Sequence, residues 1–185
     1  MRIISGKARG TKLYTLEGTN TRPTLDRVKE SIFNIIQGNI ENATVLDLFA
    51  GSGAIGLEML SRGAKKAVLC DNSKEAVGII KKNIEKTHSQ EKAEIYNSDF
   101  ETCLEKIKNQ KFDIIYLDPP YATDYIYKSL SKIIELCITK KESLIIIETD
   151  DEQRILKEIE KIEVKIIDKR KYGRATIIFL NLEKA

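Results

Sequence analysis

The chain has one histidine, His88, in a polar Thr-His-Ser-Gln stretch. With no second histidine there is no basis for a histidine-based hydrolase or a histidine metal site. Its three cysteines, Cys70, Cys103 and Cys137, are odd in number, widely spaced and without CxxC pairing. A disulfide framework or a zinc site is therefore not expected, and no metal is assigned. No apolar run reaches transmembrane length, and the N-terminus lacks the charged and apolar regions of a secretory signal. A soluble, cytoplasmic, monomeric protein with no membrane partner is the expectation. No internal repeat or low-complexity segment interrupts the chain.

What is present is 185 residues, 32% charged and 42% hydrophobic, long enough to bury a full core in one domain. Residues 1–185 therefore read as a single domain, with 1–22 as a basic extension and 23–185 as the core. The net charge of +3 is modest but uneven, because Arg2, Lys7, Arg9, Lys12 and Arg22 face only Glu17 before residue 23. A second basic cluster comprises Lys165, Lys169, Arg170, Lys171 and Arg174. Such clusters suit phosphate contact, and equally suit a solvated face. Of these residues, Arg9 and Arg22 are the better candidates for RNA contact, since both precede the core.

From residue 44 onward, β-rich runs at 44–49, 67–71, 93–97, 112–118 and 143–148 alternate with helical patterns beginning near Ala54, Ser73, Asp99, Asp124 and Asp151. This repetition predicts a mostly parallel sheet with helices on both faces and right-handed crossovers. Two final β-rich runs, 163–169 and 175–182, are too close for a helix between them and predict an antiparallel hairpin at the sheet edge. At the front, residues 2–5 and 12–16 suggest a small β-hairpin. Leu25, Val28, Ile32, Phe33, Ile35 and Ile36 follow at helical spacing, with Pro23 or Thr24 marking the start.

The most informative residues are Asp118-Pro119-Pro120-Tyr121, at the end of the fourth strand of the repeat. An exocyclic amino group on a nucleobase is a poor nucleophile because its lone pair is delocalised into the ring. An enzyme that methylates it must supply acceptors that draw the nitrogen toward tetrahedral geometry. Asp118 and the Pro119 carbonyl are such acceptors. The two prolines fix φ and donate no N–H, and Tyr121 can stack on the base. An ordinary strand-ending turn also accommodates these residue types, so the remaining motifs must decide.

After the first strand comes Asp47-Leu48-Phe49-Ala50-Gly51-Ser52-Gly53-Ala54-Ile55-Gly56, and Asp71-Asn72 ends the second. The glycines satisfy GxGxxG and Asp71 stands where a ribose-binding acid belongs, so a dinucleotide is one option. Asp47 argues for S-adenosyl-L-methionine instead, since a carboxylate there would repel a pyrophosphate but attract the ammonium of a methionine moiety. The Asp-Pro-Pro-Tyr corner also has chemistry to perform with a methyl donor and none with a hydride.

Together these motifs resemble the class I S-adenosylmethionine-dependent methyltransferases that act on exocyclic amino groups. The opening Arg2-Ile3-Ile4-Ser5-Gly6-Lys7-Ala8-Arg9-Gly10, the Arg22-Pro23-Thr24 step, the glycine loop and the late Tyr172-Gly173 look like the RsmD family, bacterial 16S ribosomal RNA guanine-N2 methyltransferases. The resemblance covers essentially the whole chain and implies a Rossmann-like α/β fold with a seven-stranded sheet. It also implies that Asp47, Phe49, Ala50, Gly51 and Gly53 surround the methionine end of the cofactor, Asp71 and Asn72 the ribose, and Asp99 with Phe100 the adenine. Asp118, Pro119, Pro120 and Tyr121 would hold the target guanine of 16S rRNA, in the small subunit or an assembly intermediate. One departure is Asp71, where related enzymes frequently carry glutamate, which shortens the reach to the ribose.

Three rivals share parts of this pattern. A DNA methyltransferase acting on adenine N6 or cytosine N4 would use the same corner, but usually needs a target-recognition domain for which this chain has no spare residues. A protein amide methyltransferase presents a similar corner. A noncatalytic RNA-binding assembly factor could retain a cofactor pocket, although the intact Asp118, Tyr121 and glycine loop argue against decay.

Overall fold

Strands covered by helices on both faces are buried on both sides, which is why the central runs here are nearly continuous Val, Ile and Leu instead of alternating. The computed structural model describes residues 1–16, 23–120 and 122–182, apart from the side chains of residues 23–26. Seven strands, β1 (Thr44–Asp47), β2 (Lys66–Asp71), β3 (Ala93–Asn97), β4 (Phe112–Leu117), β5 (Thr139–Thr149), β6 (Val164–Tyr172) and β7 (Ala175–Leu182), form one sheet in the order β3-β2-β1-β4-β5-β7-β6. The first five are parallel, and β7 runs antiparallel to both β5 and β6. This is the mixed sheet, with a C-terminal antiparallel hairpin, that the alternation of elements predicts.

Among the described residues six helices cover the sheet: α1 (Pro23–Ile40), α2 (Ala54–Ser61), α3 (Lys74–Lys86), α4 (Phe100–Lys106), α5 (Tyr125–Glu135) and α6 (Glu152–Ile159). Because side chains alternate across a strand, Val45, Ile114 and Ile146 join the core with α1 and α2. Leu46, Ile115 and Ile147 join the opposite core with α4, α5 and α6. Ser73, Asp99 and Asp151 cap their helices as N-cap chemistry requires, accepting from the amides of Ala76, Thr102 and Arg154. Asp124 precedes α5 without a side-chain cap bond.

Three expectations are refined. The N-terminal hairpin keeps one antiparallel bridge, Arg2 to Lys12, with backbone bonds joining Ile3 to Gly10 and Thr11, while the amides of Ile4, Ser5, Lys7 and Ala8 bond to Glu58 and Ser61. In the C-terminal hairpin, Arg170, Lys171 and Tyr172 belong to β6, and only Gly173 and Arg174 form the turn; Gly173 supplies φ 63° there. In α1, Ile35 is exposed, while Val28, Ile32, Phe33, Ile36 and Ile40 are buried.

The N-terminal segment is docked on α2. The fully buried Glu58 accepts from the amides of Ile4 (2.8 Å) and Ser5 (3.0 Å), and pairs with Lys29 (3.2 Å) and Arg62 (2.8 Å). Two cations and two amides satisfy its charge, as a buried carboxylate demands. The Asn83 side chain, also fully buried, accepts from the Tyr14 amide and donates to the carbonyls of Tyr14 and Ser52. It thereby ties the segment to the loop before α2. Gly6, at φ 83°, lies so close to α2 that a Cβ would fall 1.9 Å from the Ser61 carbonyl oxygen.

Candidate active site

The strand order reverses between β1 and β4, and in open α/β sheets the crevice at the carboxyl ends of those strands is where ligands bind. Asp47 pairs with Tyr116 across that boundary, so the loop after β1 and the corner after β4 leave the sheet side by side. Two cavities open there and share Phe49, Gly51 and Asp118. The larger, about 450 Å³, is lined also by Asp71, Asn72, Ser98, Asp99, Phe100, Pro119, Pro120 and Tyr125. The other, about 260 Å³, is lined by Asp47, Ala50, Tyr116 and Glu148, with Met1, Thr15 and Leu16 of the docked segment and Lys29 and Ile32 of α1 among its walls.

The loop between β1 and α2 is tightened by two left-handed glycines, Gly51 (φ 54°) and Gly53 (φ 78°), positions an L side chain rarely adopts. Gly53 precedes α2 without a side-chain cap, which leaves that helix N-terminus as a concentration of backbone donors. Asp71 fixes the loop from β2. One of its oxygens accepts from the Gly51 amide (2.8 Å) and the other from the Ser73 amide (2.9 Å). A carboxylate has about four acceptor sites, so each oxygen retains a lone pair for a ligand hydroxyl.

Asp47 is buried and accepts from the Gly56 amide at 3.1 Å. Burial pushes its carboxyl up to about 7; the Gly56 bond opposes this and the charge of Asp71 adds to it. Asp118 is half-buried by surface area but densely surrounded. Its carboxyl is pushed well above the ordinary range, first by burial and then by Glu148 and Asp47. Burial likewise raises Glu148, against the hydrogen bond it accepts from the Tyr116 hydroxyl. Acids held at such cost in a cleft mark a site for a cation or for proton transfer. Asp99 differs: the amide and hydroxyl of Thr102 hold its carboxyl below the usual value. Both of its oxygens are engaged in capping α4.

The structure thus brings Phe49, Gly51, Asp71, Asn72, Asp99, Phe100, Asp118, Pro119 and Pro120 around one cleft, with Asp47 and Ala50 in the adjoining one. Tyr121 and Arg22 lie outside the described residues. Arg9 is exposed and apart from the site, because the amides of Lys7 and Ala8 bond to Ser61 at the far end of α2, roughly 12 Å of helix away from the glycine loop. At the pocket end stand Lys171 and Arg174 instead, since β6 runs parallel to β5 and both flank the β6–β7 turn. Sequence reasoning missed Ser98 and Glu148. A polar residue one position before the Asp99 cap, and an acid closing the apolar run of β5, were the available signals.

S-adenosyl-L-methionine fits the larger cleft on an observation independent of the motifs. The Ser98 hydroxyl is buried there without a hydrogen-bond partner among the described residues, and such an orphan is accounted for by a ligand contact. Phe49, Phe100 and Tyr125 form an aromatic wall beside it, with ring centroids 4.9–6.2 Å apart. Asp47 and Asp118 supply negative charge for a cationic ligand.

A sheet of this order, with clefts at its reversal and a glycine turn after β1, defines a Rossmann-like methyltransferase, a class dependent on S-adenosyl-L-methionine. Solved structures agree. One described as a methyltransferase from Escherichia coli superposes with a TM-score of 0.85 at 30% identity, covering 100% of this chain and 99% of that one.

Within that class, residues 1–181 match the family described as Conserved hypothetical protein 95, and the chain belongs to it. The chain is 38% identical, over 84% of its length and 82% of the relative's, to ribosomal RNA small subunit methyltransferase D of Haemophilus influenzae. It is 35% identical, over 82% and 76%, to the protein of that name from Escherichia coli. A shorter match, 36% identical over 54% of this chain and 35% of the other, is to a release factor glutamine methyltransferase of Leptospira interrogans. No described helix is long and apolar enough to cross a membrane, and no metal-binding cluster occurs among the described residues.

Proposed function

We propose that this protein transfers a methyl group from S-adenosyl-L-methionine to the exocyclic N2 amino group of a guanine in 16S ribosomal RNA, within the small subunit or its assembly intermediate. The observation that carries the reading is Asp118, which walls both cavities and so meets the methyl end of a cofactor that reaches from the larger cleft toward Asp47, together with a base held beside it. Relatives matched over most of the chain, named as methyltransferases of small-subunit ribosomal RNA, support RNA as the substrate. The glutamine methyltransferase match spans only about half of the chain and leaves out a large part of what is shared with those relatives.

The cofactor supplies an electrophilic methyl group. Asp47 and the backbone around Gly51 and Gly53 hold its methionine end, Asp71 with Asn72 its ribose, and Ser98, Asp99 and the Phe100 amide its adenine. Asp118 and the Pro119 carbonyl accept hydrogen bonds from the base amino group and localise its lone pair for attack. Two reactants held in register, with acceptors placed where positive charge develops, each contribute several kcal/mol to rate. The nitrogen becomes strongly acidic as it is methylated, so Asp118 needs only to pass a proton toward water. Tyr121 stacks on the turned-out base. Lys171 and Arg174, at the pocket end of the sheet, join Arg9 and Arg22 as phosphate contacts.

The test is to incubate the protein with labelled S-adenosyl-L-methionine and small ribosomal subunits from cells lacking it, then identify and map the labelled nucleoside. N2-methylguanosine at a single position is the expected product. Label in DNA or protein but not in RNA would overturn the reading.

A further inference from the structure

Besides Asp47 and Asp118, the smaller cavity holds a third acid, Glu148, which the reaction as described does not use. Leu117 pairs with Ile147 in the β4–β5 ladder, so the residues that follow, Asp118 and Glu148, are neighbours across the strand ends. Both line the smaller cavity, and Asp118 walls the adenine cleft as well. One oxygen of Glu148, Oε2, accepts from the Tyr116 hydroxyl, which anchors the side chain, and Oε1 has no donor among the described residues. Glu148 is half-buried, so this oxygen is open to the cavity, unlike the oxygens of the enclosed Glu58, which are both paired.

The chemistry of the bases decides what such an acceptor selects. On guanine, the N2 amino group lies beside N1–H, so the edge presents adjacent donors. On adenine and cytosine, the amino group lies beside a bare ring nitrogen, which is an acceptor. A carboxylate next to Asp118 therefore completes a hydrogen bond to guanine and opposes a lone pair on the other two. From this we infer that Glu148 is the residue that selects guanine, its carboxylate accepting N1–H from the base whose N2 amino group Asp118 holds. The inference rests on the function proposed above and deepens it. Burial raises Glu148 toward protonation in the free protein, and a cationic cofactor at the same end of the sheet favours the ionised, accepting form. A base bearing N1–H then finds the acceptor ready.

2-Aminopurine keeps the amino group at C2 but has a bare acceptor at N1. Small subunits are assembled with guanosine or 2-aminopurine riboside at the mapped target position, and kcat/KM is measured for both with wild type and Glu148→Gln. Glutamine has the same shape and can turn its NH2 toward a bare N1. Wild type is expected to prefer guanine by roughly 10- to 100-fold, the worth of one good base contact. In the variant that ratio should narrow by at least about tenfold. Glu148→Ala reads the same ratio where the glutamine variant folds poorly, because it removes the bond to guanine and the repulsion of 2-aminopurine together. A loss of activity equal for both bases marks a structural role and overturns the inference while leaving guanine methylation standing. A wild type that labels neither substrate overturns both.

Discussion

Asp47→Asn should stabilise the free protein while weakening its grip on the cofactor. The Asp47 carboxyl is 3% exposed and titrates near 7 in the fold, against an ordinary value of 3.8. Below about 4 both folded and unfolded chains hold the proton, and the group costs nothing. As pH rises toward 7 the unfolded chain releases its proton while the folded one retains it, so stability falls through that window. At about 1.4 kcal/mol per pH unit, the cost reaches roughly 4 kcal/mol above pH 7 and less than half of that at pH 5. Asparagine cannot ionise, and its Oδ1 still accepts the Gly56 amide, but its NH2 donors enter a buried site at a cost of about 1–3 kcal/mol. The net gain at pH 8 is therefore about 1–3 kcal/mol, or several degrees in Tm for a chain of this length. The cleaner quantity is the change in the wild-type-to-variant difference between pH 5 and pH 8, roughly 2–3 kcal/mol in the variant's favour. Urea unfolding at the two pH values measures it directly. A difference that stays flat with pH, or a variant less stable than wild type at pH 8, would refute the account of Asp47 as a buried acid awaiting a cation. The same variant should bind S-adenosyl-L-methionine at least about tenfold more weakly by calorimetry, one lost charge contact being worth about 1.4 kcal/mol or more.

For the wild type, cofactor affinity should rise with pH up to about 7, by up to roughly tenfold per unit, and level off above it, because binding a cation draws a proton from Asp47; calorimetry near pH 6 in buffers of different ionisation enthalpy should show that proton released. Asp118→Ala should lower kcat by about 10²- to 10⁴-fold with cofactor affinity changed only a few-fold, and near-normal turnover would remove Asp118 from the mechanism. Glu58→Gln removes the buried charge that Lys29 and Arg62 share and should cost about 3–5 kcal/mol in urea unfolding. Faster hydrogen exchange at the Ile4 and Ser5 amides should accompany it, and unchanged exchange there would show that Glu58 does not dock the N-terminal segment.

Much of the architecture was legible because its signals are local. The runs that became β1, β2, β4 and the second half of β5 are apolar on both faces, and Ser73, Asp99 and Asp151 carry the side chains that cap the helices they precede. The turn at Gly173 needs a positive φ that glycine adopts freely. Less legible was the N-terminal segment, where alternating residues suggested a hairpin. Its amides are claimed by Glu58 and Ser61, more than fifty residues away, and no local pattern announces such partners.

For the site, the order of motifs along the chain determined which residues gather at one edge of the sheet, because every parallel strand delivers its following loop to the same end. Asp47, Asp71, Asp99 and Asp118 each follow or close a strand, and the glycine loop follows the first. What only the tertiary structure decided is how those acids divide the work. Asp99 spends its oxygens on Thr102, Asp71 braces Gly51, and Asp47 and Asp118 are left in surroundings that raise their proton affinity. The pairing of Glu148 with Asp118 and the docking of Met1, Thr15 and Leu16 as a cavity wall belong to the same category. Proton affinity and cavity shape are sums over neighbours distant in sequence, so they exist only once the sheet has brought those neighbours together.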